Sequence, residues 1–195
     1  MITLDRPKLW ISSLVVAALF GFGYGWKRSR DNPIFGMTQA KVVEPPEVRL
    51  LRKGRYDEAA NAILDSIKDE KKDSWRYQSV AAVYYARAQN EPTSREKWLA
   101  EANSYIEKSI DLSPDDFVNL MSGASGIERI GDSSSRSCPY YAKATEHARS
   151  ALAQLKGDSV SVGDEKIPTE SIRAEIEKHI NGLNDKIKTK CPDKP

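Results

Sequence analysis

From Val48 onward, small and apolar residues return at offsets of four, seven and eight, the spacing that lines one face of an α-helix. Ala59 is followed by Ile63, Ser66 and Ile67. Ala102 is followed by Ile106, Ser109 and Ile110, and Ala144 by Ala148, Ala151 and Leu152. The three alanines stand 43 and 42 residues apart, so a helical unit repeats. One helical hairpin cannot bury its apolar face, whereas stacked copies share a continuous core. The pattern therefore predicts an all-α solenoid, an architecture whose usual work is to hold a partner. Between turn signals, helices are expected over 46–53, 56–69, 74–88, 95–112, 116–130, 140–155 and 169–188. No clear alternating run of β-branched residues appears, so no sheet is expected. In the last helix Ile172, Ile176, Ile180, Leu183 and Ile187 make one apolar stripe, with Glu and Lys on the other face, as a capping helix requires.

The N-terminal pattern differs. Residues 9–26 carry no charged side chain. As a helix these 18 residues span ~27 Å, close to the hydrocarbon thickness of a bilayer. Trp10, Tyr24 and Trp26 stand at the ends, where aromatic rings favour the interface. The stretch reads as a single transmembrane anchor within an N-terminal segment, 1–27. A cleaved secretory signal is the competing reading, although Gly23-Tyr24-Gly25 is a poor cleavage site. Ser13, Ala17, Gly21 and Gly25 are four apart and form a small-residue stripe for close helix packing in lipid, a candidate homodimer contact. Residues 28–47, with Pro33, Gly36, Pro45 and Pro46, read as a linker.

Within 48–157 the chain resembles the tetratricopeptide repeat family, as a membrane-anchored, bacterial-type member. Gly54-Arg55-Tyr56-Asp57-Glu58-Ala59 looks like the turn between the two helices of such a repeat. At the family's spacing, Tyr77, Val80, Ala81 and Tyr84 fall on the helix A signature of a second copy. Ala102, Ile106, Ser109 and Pro114 match its helix B and terminating proline. A third copy starts at Phe117, with Leu120, Ala124 and Ile127 in place and Gly123 where leucine is usual, and Ala144, Ala148 and Ala151 complete it. The period exceeds the family's, and longer loops near 89–93 and 131–139 absorb the excess. The same spacing also fits HEAT-like repeats, but the 54–59 turn and Pro114 favour the tetratricopeptide reading. Residues 158–195 would then hold a loop and the capping helix.

The resemblance implies a concave groove lined by fixed helix A positions. In the second copy these are Trp75, Gln78, Ala82, Tyr85 and Ala86; in the third, Val118, Met121, Ser125, Glu128 and Arg129. The first set is largely apolar and aromatic, which suits a peptide or protein segment. The bland alternative is that the linker or the terminal helix fills the groove and Trp75 is core.

Charge narrows the classes. The 30 Lys+Arg and 28 Asp+Glu leave a formal +2, interspersed as on a wet helical surface, with no electrostatic case for nucleic acid. Ser122-Gly123-Ala124-Ser125-Gly126-Ile127 fails the hydrolase-elbow spacing, since Ile127 stands where a second glycine belongs. Phosphate-loop and zinc spacings are lacking, so no catalytic residue, metal or cofactor is assigned. His147 and His179 would lie near one another if the last helix packs antiparallel on 140–155, but two histidines without a spaced motif do not make a metal site. The same packing brings Cys138 and Cys191 to one end, a candidate disulfide that implies an oxidising compartment. Arg6 and Lys8 against Lys27, Arg28 and Arg30 tilt the domain toward the cytoplasm by one residue. The cysteines tilt it toward an extracytoplasmic, periplasmic face, the side preferred. The expectation is a membrane-anchored interaction scaffold, or alternatively a structural or assembly subunit held through its anchor.

Overall fold

The computed structural model describes residues 45–162 and 165–192. The expected anchor, its stripe of Ser13, Ala17, Gly21 and Gly25, and the linker up to residue 44 lie outside them. The described residues form seven α-helices: α1 (Pro46–Arg52), α2 (Tyr56–Leu64), α3 (Trp75–Asn90), α4 (Arg95–Leu112), α5 (Phe117–Ser133), α6 (Ser137–Gln154) and α7 (Thr169–Lys190). They are mostly helical, as the 3.6-residue periodicity requires. None of these helices is long and apolar enough to cross a membrane.

Local chemistry fixes the helix ends. Pro46 opens α1, where its missing N–H has no intrahelical acceptor in any case. Gly54 follows at φ 71, and the N–H groups of Gly54 and Arg55 bond back to the Leu51 and Leu50 carbonyls at 2.9 and 3.0 Å. That left-handed C-terminal cap needs glycine, and it turns the chain directly into α2. Asp116 caps α5, its Oδ1 accepting from the N–H of Val118 at 2.9 Å and of Asn119 at 3.2 Å.

Cross-helix bonds show how the helices are layered. Between α3 and α5, the Gln78–Asn119, Gln89–Ser133 and Tyr85–Ser133 bonds join residues 41, 44 and 48 apart. Bonds at both ends with nearly constant separation mean that the two helices run in the same direction. On the α4–α6 side, Glu107–His147 and Asp115–Gln154 join residues 40 and 39 apart, so these two helices also run together. Between α5 and α7, Asp132 joins Lys186 and Lys190, 54 and 58 residues on. Helices α3, α5 and α7 therefore form one layer, with α4 and α6 in another. Each helix packs mainly on its chain neighbours.

The core lies between the layers. Ala59, Ala102 and Ala144 are each 0% exposed, with Leu99, Leu120, Ile127 and Leu183 buried among them. Gly123 lets α4 approach α5: a Cβ there would stand 2.6 Å from Ile110 Cδ1. On α7, Ile176, Ile180 and Leu183 are buried against the stack, and Ile172 and Ile187 are half-buried.

Some boundaries differ from expectation. A two-stranded antiparallel hairpin, β1 (Ser159–Val162) and β2 (Glu165–Pro168), replaces the loop expected before α7, with Val160 opposite Ile167. Its alternation lasts four residues, too short to stand out from a break. Helix α2 stops at Leu64, five residues early, where successive i→i−3 bonds from Ser66 and Ile67 tighten the chain out of the helix. Helix α5 runs through Gly131 to Ser133; Gly131 lies against Tyr141, and a Cβ there would meet that ring at 2.9 Å.

Candidate partner-binding face

On α3 the residues Trp75, Gln78, Ala82 and Tyr85 follow helical spacing and make one stripe. Trp75 is the large apolar side chain left open among the described residues, at 50% exposure. The Arg76 guanidinium lies 4.8 Å from its ring centroid, while Arg76 Nη1 donates to Ser66 Oγ at 2.8 Å. Ala82 is exposed. Gln78 is not open: its Nε2 donates to Asn119 Oδ1 at 2.6 Å and its Oε1 accepts from Ser122. Asn119 in turn bonds Ser109 in both directions at 2.8 Å. This buried polar knot ties α3, α4 and α5 together, each partner satisfied. The Tyr85 hydroxyl meets Ser133 Oγ at 2.9 Å, and the Arg129 guanidinium lies 5.0 Å from the Tyr85 ring.

On α5, Met121 is buried at 9% exposure, Ser125 is half-buried and Arg129 is exposed. Glu128 is engaged by the terminal helix, with Lys186 Nζ at 2.8 Å and His179 Nδ1 at 3.7 Å. The face therefore keeps Trp75 and Ala82 open on α3, and Arg129 against the Tyr85 ring, with Ser125 half-buried on α5. Gln78, Met121 and Glu128 act in helix-to-helix contacts.

An aromatic ladder lies between α3 and α4. Tyr84 stacks on Tyr105 and on Trp98, with centroids 5.6 and 5.9 Å apart, and Tyr77 stacks on Tyr105 at 6.4 Å. Arg87 stands 3.6 Å over Trp98 and pairs with Asp57 at 2.8 Å and Glu91 at 2.9 Å. Tyr105, Trp98 and Arg87 escape a motif search. Only their spacing on facing helices brings them together, and the partner helix must be placed first.

At the other end of the stack a latch holds α7. Cys138 and Cys191 are bonded, their Cα atoms 5.8 Å apart. Beside them Asp132 takes Lys186 at 2.7 Å, Lys190 at 3.4 Å and the Tyr141 hydroxyl at 2.7 Å. Burial pushes the Asp132 carboxyl up, but hydrogen bonds from Lys186 and Tyr141 outweigh it and hold the group below the usual range. His179 is pushed down, chiefly by burial and further by Lys186, against the pull of Glu128.

His147 and His179 face different carboxylates, Glu107 at 3.3 Å and Glu128 at 3.7 Å. Among the described residues no group of three His, Cys, Asp or Glu could hold a metal ion. Ser125 lies inside α5, not on a strand-to-helix elbow. Comparison with family models, with curated proteins and with solved structures returns no match. The geometry alone therefore bears on function.

Proposed function

We propose that this chain is a membrane-anchored scaffold, a stack of tetratricopeptide-like hairpins that holds a peptide or protein partner on the face built by α3 and α5. The observation that carries the reading is the layering: helices one repeat length apart run together, bonded across separations of 39 to 48 residues. A 50%-exposed tryptophan on the same face supports a recognition role, since large exposed aromatics anchor interfaces. The anchor over 9–26 would confine this face to the membrane surface and raise its effective concentration there. The Cys138–Cys191 bridge supports an oxidising, extracytoplasmic side.

The competing reading is a structural subunit held through its anchor. It draws support from Gln78, Met121 and Glu128, which are committed within the stack. Detergent pull-down separates the two. Wild type, an anchor-swapped chain and Trp75→Ala are compared for captured partners. Loss of capture in Trp75→Ala with unchanged helicity supports the scaffold. Dependence on the anchor alone refutes it in favour of the subunit.

A further inference from the structure

The Cys138–Cys191 bridge is unequal at its two ends. Cys138 is half-buried, with Arg136 and Pro139 exposed close to it in the chain, whereas Cys191 is buried at 6% exposure. The two sulfurs also sit at opposite helix poles. Cys138 is the second residue of α6, whose first turn holds no acidic residue and whose N-cap residue, Arg136, supplies no side-chain cap. The partial positive charge of that terminus favours a thiolate over a thiol. Cys191 is the C-cap of α7, where the negative end of the dipole disfavours a thiolate, an effect that Lys188 and Lys190 in the last turn offset in part.

The bond is not what places α7. Ile176, Ile180 and Leu183 are buried against the stack. Asp132 takes Lys186 at 2.7 Å and Lys190 at 3.4 Å, and Lys190 Nζ donates to the Tyr141 hydroxyl at 2.8 Å. These contacts involve no sulfur, so they keep the last turn of α7 beside the start of α6 once the bond is open. Each thiol then stays at a high effective concentration for the other, which makes opening reversible.

We propose that the bridge is a thiol-exchange site entered at Cys138, with a dithiol as its co-reactant. In the opening direction a thiolate of the dithiol attacks Cys138 Sγ, the accessible sulfur. The S–S bond breaks, and Cys191 leaves with the electron pair and takes up a proton. The second thiol of the co-reactant, once deprotonated, attacks its own sulfur in the mixed disulfide and expels Cys138 as a thiolate, the leaving group that the helix N-terminus stabilises. The protein bridge has then gained two electrons, and the dithiol has lost two and become a disulfide. Of the dithiol's two protons one ends on Cys191 and the other in solvent. Closure runs backward: Cys138 attacks a disulfide, and Cys191 resolves the mixed species. Opening loosens α7 without undocking it, and the α3–α5 face takes no part.

The test uses the full chain in detergent. Wild type is reduced with dithiothreitol, with and without subdenaturing urea, and then reoxidised with oxidised glutathione. Direct attack on an accessible sulfur gives a reduction rate proportional to dithiothreitol concentration and unmoved by the urea, retained helicity by circular dichroism, and a bridge that closes again. Single variants locate the entry sulfur. With dipyridyl disulfide, Cys138 in Cys191→Ser should react about tenfold faster than Cys191 in Cys138→Ser, and the difference should vanish in the urea-unfolded chains. A reduction rate that climbs steeply with subdenaturing urea overturns the proposal, because the bond then opens only when the chain unfolds. Failure to reclose, or equal or faster reaction at Cys191 in the folded variants, overturns it as well. The wild-type arm holds even if a single variant does not fold, and none of these readouts depends on partner capture by the α3–α5 face.

Discussion

Gly123 shows what a single atom decides in this stack. Its missing Cβ leaves the space into which Ile110 Cδ1 projects, 2.6 Å from where that carbon would be, with Ile106 Cγ2 at 3.2 Å. The family resemblance puts leucine at this position, and the departure has a steric reason that only the packed partner reveals. Gly123→Leu should therefore destabilise by ~1–3 kcal/mol in urea denaturation, despite gaining helix propensity. Combining it with Ile110→Ala should recover part of the loss, because the two side chains then share one space. If the double variant is as unstable as the sum of the singles, the crowding account is wrong. Gln78 teaches the complementary lesson. Its place on the α3 stripe was legible from spacing. Its engagement was not, since Asn119 lies 41 residues away on a helix whose rotation about its axis the sequence does not specify.

Whole elements were easier to read than their contacts. All seven helices follow from periodicity and punctuation, because Gly54, Pro92, Pro114 and Pro168 break the chain by mechanisms that act locally. The β1–β2 hairpin escaped because two four-residue strands carry almost no pattern of their own. The polar contacts of α7 were equally invisible, although its apolar stripe and the candidate Cys138–Cys191 bridge were plain. On the polar side, α7 is attached through His179, Lys186 and Lys190 to Glu128, Asp132 and Tyr141. This attachment titrates in two steps of the same sign. His179 has a lowered value in the folded chain, so its contribution is present above about pH 6.5 and fades as pH falls through the folded value. Asp132 is lowered too, so its contribution is present above about pH 4 and is lost below that. Protection factors of α7 amides, taken relative to the slower intrinsic exchange at low pH, should accordingly fall in two stages on acidification. His179→Gln should erase the stage nearer neutrality and leave the acid one. A single stage in the wild type, or a His179→Gln profile identical to wild type, would contradict the assignment.

At the scale of the molecule the question is whether stability is shared or local. Each helix packs mainly on its neighbours in the chain, so a perturbation at one end should fade along the stack instead of spreading through one globule. The Cys138–Cys191 bridge offers the perturbation, since it ties α7 to the start of α6 across 53 residues. Loop closure of that length is worth about 2–4 kcal/mol, mostly through the unfolded chain. The buried Ile176, Ile180 and Leu183 remain when the bridge is cut, so α7 should stay docked but open more often. Cys138→Ser with Cys191→Ser should thus lower stability by about 2–4 kcal/mol, and native-state exchange should show where. Amides of α6 and α7 should lose most protection, α5 less, and α2 and α3 almost none, because the α3–α4 aromatic ladder and the Gln78–Asn119 knot hold that end independently. Uniform loss from α2 to α7 would mean one cooperative core, and the repeat stack on which the scaffold reading depends would then have to be given up.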